Sequence, residues 1–434
     1  MNGTHDPNLT SWVESANDPS SDFPIQNLPF GIFSTDGDDA RVGVALGDQI
    51  IDVSAMDSGL FAGDAAVIAL LCENGVLNPL MAEAPERLSA FRARLSELFS
   101  TNSAERSRLQ SALVSMKDAR LHLPVEIGDY TDFYASIYHA TNVGRLFRPD
   151  DPLLPNYKYV PIGYHGRASS VILSGSDVIR PNGQTRAGDS GDPAFGPTKA
   201  LDYESEVGFF VGQPNPLGVP IPIEAAERHV FGFCLVNDWS ARDIQSWEYQ
   251  PLGPFLAKNF ATTISPWVIT RQALEPYRVP AFFRPADDPA PLKYLASEDD
   301  RKCGGIDLSV EVFIRSMMMR EAGLRAHRIS RASFCDMYWT TAQMLTHHAS
   351  NGCNLRTGDL LASGTISGPD EGSQGCLLEI TKRGRNPIAL PSGEERTFLQ
   401  DGDEVLMRGY LERDGRARIG TGECVGRIVA TVKP

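Results

Sequence analysis

Residues 201–212 read LDYESEVGFFVG. Alternate side chains of a β-strand point to the same face, so Glu204 and Glu206 aim two carboxylates at one place. Val207, Phe209 and Phe210 mark the same strand as buried. A buried carboxylate is costly unless it is paired or bound to a metal. The stretch therefore sets two expectations together: a β-rich core built around this strand, and an acidic site within it.

Two neighbouring stretches extend the site. VFGFCLVND, residues 230–238, is a very apolar strand that ends in Asp238. TDFYASIYHATNVG, residues 131–144, holds Asp132 among aromatic residues. Taken singly, each acid reads as a solvated edge residue or a helix cap. Joined to the Glu204–Glu206 pair, they read as oxygen ligands for a hard divalent cation, Mg²⁺ or Ca²⁺. The segment NDWSARDIQSWEYQPLGPFLAKNF, residues 237–260, follows directly. With residues 240–249 helical, Arg242, Gln245 and Tyr249 fall at i, i+3 and i+7 on one face. Arg and Gln donors beside a cation suit the stabilisation of negative charge developing on oxygen, and Lys258 in the following loop can join them. An ordinary amphipathic surface helix is the competing reading.

Among eight histidines, His139 in the turn-forming stretch YHATNVG is the best general base, because imidazole titrates near neutrality. His165 in GYHGR and the adjacent His347–His348 are competitors. The latter pair makes no HExxH zinc motif. No GxSxG nucleophile elbow and no P-loop occurs. GTGECVG, residues 420–426, lacks dinucleotide-binding spacing and reads as a turn entering a last strand, VGRIVATV.

Composition bounds the partners. The chain has 434 residues, 42% hydrophobic and 22% charged, with a formal net charge of −15. That suits a soluble globular protein with a sizeable core and argues against nucleic acid or an anionic membrane as partner. Seven widely spaced cysteines with no CxxC pair fit reduced thiols in the cytoplasm. The polar N-terminus has no signal-peptide pattern, so the sequons at Asn2 and Asn8 carry no expectation. No apolar run approaches the roughly 18 residues of a membrane span.

Along the chain, residues 1–30 read as an irregular lead-in and 30–55 as short strands with a Gly/Asp turn. Residues 64–118 have helical spacing. From a seam at Leu121–Pro124 onward, frequent Gly and Pro and recurring turns predict a mostly antiparallel β unit, interrupted by helices over 240–249 and 333–352. The fold class is α+β, mostly β, with domains over 1–120 and 121–434.

Six stretches then carry a resemblance. DFYASIYHATNVGRLFR, LPNYKYVPIGYHGRASSV, LDYESEVGFFVG, NDWSARDIQSWEYQPLGPFLAKNFATTISPW, MYWTTAQMLTHHASNGCNLRTGDLLASGTISG and TFLQDGDEV closely resemble the fumarylacetoacetase family of β-diketone hydrolases. The match spans about residues 125–430, and the N-terminal unit fits in size. The resemblance implies a small SH3-like N-terminal domain, a mixed β-roll catalytic domain and a homodimer. It implies hydrolysis of a C–C bond in 4-fumarylacetoacetate, the last step of tyrosine and phenylalanine catabolism. Asp132, Glu204, Glu206 and Asp238 match the ligands of a divalent cation, usually calcium; Lys258 and Thr262 match positions beside a magnesium. His139 matches the base that activates water and Glu379, in CLLEIT, the carboxylate that orients it. Arg242, Gln245 and Lys258 match groups that stabilise the oxyanion and enolate. Tyr134, Arg148, Tyr164, Gln245, Tyr249 and Thr365 match substrate contacts. An acylpyruvate hydrolase, a 2-oxo acid decarboxylase or a non-catalytic cation-binding protein are the alternatives.

Overall fold

The structure, a computed structural model, describes residues 3–186 and 191–432; Asn2 of the first sequon lies outside them. Its centre is an eight-stranded mixed sheet. The order is Gly163–His165, Tyr130–Phe133, Leu360–Ala362, Ser205–Val211, Val230–Asp238, Thr262–Ile264 and Val171–Leu173, with Ile269–Thr270 also paired to Val230–Asp238. The Ser205–Val211 strand runs antiparallel to both its neighbours, with Glu206 opposite Val236 and Gly208 opposite Ala362. Two parallel pairings, Tyr130–Phe133 with Leu360–Ala362 and Thr262–Ile264 with Val171–Leu173, make the sheet mixed rather than purely antiparallel.

Alternation along these strands splits their side chains between two cores. Tyr130, Phe210, Val236, Ile264 and Leu360 lie on one face and pack with Ile32, Val44, Phe91 and Phe99 of the first 125 residues. Phe133, Val207, Phe209, Leu235 and Leu361 lie on the other and pack with Val310, Val312, Val405 and Met407. Those last residues belong to a five-stranded sheet ordered His327–Ser333, Ser309–Arg315, Glu404–Leu411, Ile419–Val429 and Asp177–Ile179. The N-terminal region has its own antiparallel sheet of five strands: Leu113–Ser115, Gln49–Asp52, Arg41–Leu46, Phe30–Ser34 and Arg120–His122. The Pro85–Phe99 helix contributes Leu88, Phe91, Leu95, Leu98 and Phe99 to the core it shares with the central sheet. Phe30 and Val268 exchange backbone hydrogen bonds of 3.0 and 2.7 Å, joining this region to the central sheet's edge. No described helix is long and apolar enough to cross a membrane.

Several local expectations change. The stretch 201–212 is broken: Leu201–Asp202 and Ser205–Val211 are separate strands. His139 lies in a helix, Ile137–Phe147, rather than in a turn, because the Ser136 hydroxyl accepts from the His139 N–H at 3.1 Å and starts it. Within 64–118, residues Leu113–Ser115 form a strand. Of 333–352, Thr341–Ala349 is α-helical, set by a reciprocal capping box between Thr340 and Gln343. GTGECVG lies inside the final strand, Ile419–Val429, where a register shift opposite Arg408–Tyr410 accommodates Gly422 at φ +70°.

Gly364 follows the Leu360–Ala362 strand at φ +75°, and a Cβ there would lie 2.2 Å from the Phe133 carbonyl oxygen. The left-handed backbone alone costs an ordinary residue about 1–2 kcal/mol, and the backbone clash adds to it. Gly364→Ala is expected to lower the thermal unfolding midpoint clearly; an unchanged midpoint would show that the two segments do not approach this closely in solution.

Candidate active site

Strand alternation builds the acidic cluster. Asp132 shares a face with Tyr130, Glu206 with Phe210, Asp238 with Val236 and Thr262 with Ile264, and those partners belong to one core. Glu204 sits at the break just before Ser205, where its N–H donates to Asn237 Oδ1 at 3.2 Å and its carbonyl accepts from the Asp238 N–H at 3.2 Å. Four carboxylates, Asp132, Glu204, Glu206 and Asp238, thereby place oxygens within 4.8 Å of one another, all buried. Glu206 is 0% exposed, and neither of its oxygens accepts a hydrogen bond from any described group; Asp132 Oδ1 is likewise unserved.

Two cations answer part of this charge. Lys258 Nζ donates to Glu204 Oε2 at 2.5 Å and Asp238 Oδ2 at 2.6 Å, and Arg242 Nη1 pairs with Glu204 Oε1. Thr262 and Tyr164 hydroxyls donate to Asp238 at 2.9 Å each. Burial opposes ionisation of Glu204, yet Arg242 and Lys258 hold its carboxyl well below the usual range. For Asp132 and Glu206, burial and the neighbouring carboxylates push the carboxyls well up. Burial works against the Lys258 ammonium too, but Asp238 and Glu204 overcome it and keep it charged. Lys258 Nζ, a donor with no lone pair when protonated, thus stands as the cluster's counter-charge; a metal-ligand role for it rests on the resemblance alone. The donor set left open, unserved oxygens of Glu206 and Asp132 facing further carboxylates, fits a hard divalent cation.

The helix Arg242–Glu248 follows Asp238 closely, so Arg242 and Gln245 stand beside the cluster; Arg242 Nη1 donates to Gln245 Oε1 at 3.3 Å. Next to them is His139, whose Nδ1 donates to Glu379 Oε2 at 2.6 Å. That hydrogen bond leaves Nε2 as the accepting nitrogen. Glu379 also accepts from Asn142 Nδ2 at 2.9 Å, Ser367 Oγ at 2.9 Å and Cys376 Sγ at 3.2 Å. Burial would push its carboxyl up, but His139 and these donors hold it below its usual range. The Tyr134 ring stands edge-on to His139, with centroids 5.3 Å apart.

The remaining expected residues divide. Tyr164 touches the cluster, as described. Thr365 is buried with its hydroxyl unpartnered. Tyr249 caps the end of the Arg242–Glu248 helix, its N–H bonded to the Gln245 carbonyl at 3.0 Å, and is 45% exposed. Arg148 is exposed and donates to the Pro152 carbonyl at 3.0 Å. Of the competing histidines, His347 bonds Tyr294 and His348 bonds Thr131, while the His165 ring lies edge-on to His348. Sequence reasoning missed Asp202, Asn142, Ser367 and Cys376. Asp202 had a signal, since it continues the spacing of Glu204 and Glu206 by two; the others are distant in sequence or plain in type.

Glu206→Gln removes one buried charge from the cluster. Calorimetric titration with Ca²⁺ is expected to show affinity reduced at least about tenfold, the lower bound for residues one shell further out. In cation-free protein the same change is expected to raise the unfolding midpoint, because an uncompensated buried carboxylate is costly. Wild-type Ca²⁺ affinity in this variant would remove Glu206 from the site.

Comparison with known proteins places this geometry. The family description "Fumarylacetoacetate (FAA) hydrolase C-terminal" matches residues 130–432, and "Fumarylacetoacetase N-terminal" matches residues 26–124. Fumarylacetoacetase of Caenorhabditis elegans is 50% identical over 419 residues, covering 94% of this chain and 97% of the relative. That of Homo sapiens is 47% identical over 433 residues, covering 98% and 100%. That of Arabidopsis thaliana is 44% identical over 428 residues, covering 97% and 98%. Among solved structures, fumarylacetoacetate hydrolase from psychrophilic Exiguobacterium antarcticum aligns with a TM-score of 0.50 at 18% identity, over 93% of this chain and 99% of that one. The two family descriptions and the near-half identity to these relatives over almost the whole chain establish that the chain belongs to the fumarylacetoacetase family.

Proposed function

We propose that this protein hydrolyses 4-fumarylacetoacetate to fumarate and acetoacetate, the last step of tyrosine and phenylalanine catabolism, with the help of Ca²⁺ or Mg²⁺. One observation carries the reading: the His139–Glu379 pair stands beside a four-carboxylate cluster in which a fully buried Glu206 has neither oxygen served. Near-half identity to curated fumarylacetoacetases over the whole chain selects the substrate. The family reading also carries a homodimer in the cytoplasm, an SH3-like N-terminal domain over 1–120 and a β-roll catalytic domain over 121–434. All seven cysteines are free, in keeping with a reducing compartment.

Asp132, Glu204, Glu206 and Asp238, with Thr262, would hold a divalent cation, which when bound would supply Lewis-acid polarisation of a carbonyl oxygen. The chain's own groups do the rest. His139, held through Nδ1 by Glu379, takes a proton from water at Nε2. The resulting hydroxide oxygen adds to the carbonyl carbon of the fumaryl group itself, which becomes the second carboxyl carbon of fumarate. Arg242, Gln245 and Lys258 stabilise the tetrahedral oxyanion. The C–C bond then breaks, its electron pair departs with the acetoacetate fragment as an enolate stabilised by the same donors, and a proton returned to that carbon completes acetoacetate. Tyr134, Arg148, Tyr164, Gln245, Tyr249 and Thr365 orient the substrate. The absence of a nucleophile motif suits direct attack by water.

An absorbance assay of diketone loss tests the scheme. His139→Ala is expected to lose about 10²–10⁴-fold in kcat, the usual contribution of a positioned general base. Exhaustive chelation is expected to abolish activity, with recovery on adding Ca²⁺ or Mg²⁺. Near-normal turnover in either experiment would overturn the corresponding part of the mechanism.

A further inference from the structure

Asp202 is 0% exposed and belongs to none of the groups given a chemical role above. Its carboxylate is nonetheless fully bonded, accepting from four donors as Glu379 does. Oδ2 accepts from Arg242 Nε at 2.9 Å and from the Leu378 N–H at 2.9 Å. Oδ1 accepts from the Leu377 N–H at 2.8 Å and the Tyr203 N–H at 2.9 Å. Each oxygen therefore serves two donors, and the donors come from two different parts of the site.

One part is the charge-stabilising arginine. Arg242 opens its helix directly after the short strand Ser240–Ala241, which pairs with Leu201–Asp202. Asp202 grips the guanidinium side-on at Nε and leaves its Nη1 turned to Glu204 and Gln245. The other part is the base-orienting carboxylate. Glu379 lies in the single-turn helix Leu377–Ile380, whose N-cap, Cys376, makes no side-chain cap bond. A turn this short cannot hold itself. Its first two N–H groups are held instead by Asp202, 175 residues away in sequence. Glu379 in turn holds His139. One carboxylate thus stands behind both the group that would receive negative charge and the group that would generate the nucleophile.

We infer that Asp202 is a positioning residue that sets Arg242 and the His139–Glu379 pair in register with each other for the reaction. The inference rests on the roles proposed above for Arg242, His139 and Glu379. Asp202 touches no reacting atom in this scheme; it acts through them. An aspartate suits the task because a carboxylate accepts from a guanidinium and from two adjacent backbone amides at once, whereas an amide side chain of the same shape loses one oxygen acceptor and the charge.

The test is a kinetic cycle on the full-length protein with Ca²⁺ present, using D202N, R242Q, E379Q and the doubles D202N/R242Q and D202N/E379Q. D202N is expected to lower kcat by about 10²-fold, near the loss of one transition-state donor, with KM within about threefold of wild type. Each double is expected to lose less than the product of its singles, because Asp202 works through the other residue. A D202N kcat within threefold of wild type, or losses that multiply in both doubles, would overturn the inference while R242Q and E379Q remained impaired. Full activity in R242Q and E379Q would instead remove the roles on which it rests. Should D202N fail to fold, D202N/R242Q removes both members of the buried pair together, which proteins tolerate better than removing one. That double is then expected to turn over about tenfold more slowly than R242Q, through Glu379; equal rates would refute the coupling.

Discussion

The buried negative charge at the ends of the central strands is the constraint on which the rest of this structure depends. Carboxylates packed this closely repel one another and are expensive to remove from water. The fold meets the cost in stages. Lys258 and Arg242 are held inside the protein against their own desolvation, because Glu204, Asp238 and Asp202 repay it. Hydroxyls of Thr262 and Tyr164 serve Asp238. What is left over is both oxygens of Glu206 and Oδ1 of Asp132, which accept no hydrogen bond from any described group. Asp132, Glu204, Glu206 and Asp238 outnumber their two cationic partners, so a divalent cation is the natural remaining partner.

The two kinds of carboxylate in the site show how environment divides labour among chemically similar groups. Glu379 is as buried as the cluster acids, but its four donors, among them His139, leave it a stable anion suited to fixing an imidazole. Glu206 has no such donors and so stays open to a cation. The difference comes from where each backbone segment ends. Glu379 sits on a short helical turn between Asn142, Ser367 and Cys376, while Glu206 lies within a strand whose neighbours on its face are Gly208 and Val236.

Much of this was legible in residue order, and the exceptions have physical reasons. Strand Val230–Asp238 could be read to its last residue, because an unbroken apolar run ends in a charge. The gathering of Asp132, Glu204, Glu206 and Asp238 followed from alternation and from the cost of burying acids. The helix carrying His139 was read as a turn although Ser136, whose hydroxyl starts it, lies three residues upstream. The Leu377–Ile380 turn was invisible for a stronger reason: its cap comes from Asp202, and no local pattern reports a cap supplied by a distant strand.

The same alternation explains why an N-terminal region is needed beside the site. The carboxylates share their face of the sheet with Tyr130, Phe210, Val236 and Ile264, and that face is covered by residues of the first 125. The phenol of Tyr130, buried in that core, feels Asp238, Asp132 and Glu206 directly. The N-terminal region therefore keeps water away from one flank of the cluster. Coulombic interactions are stronger where water is excluded, so this apolar cover on the carboxylates' face favours the buried pairing of Lys258 and Arg242 with Glu204. A catalytic unit stripped of that cover would keep its ligands in sequence and lose the dielectric setting in which they act.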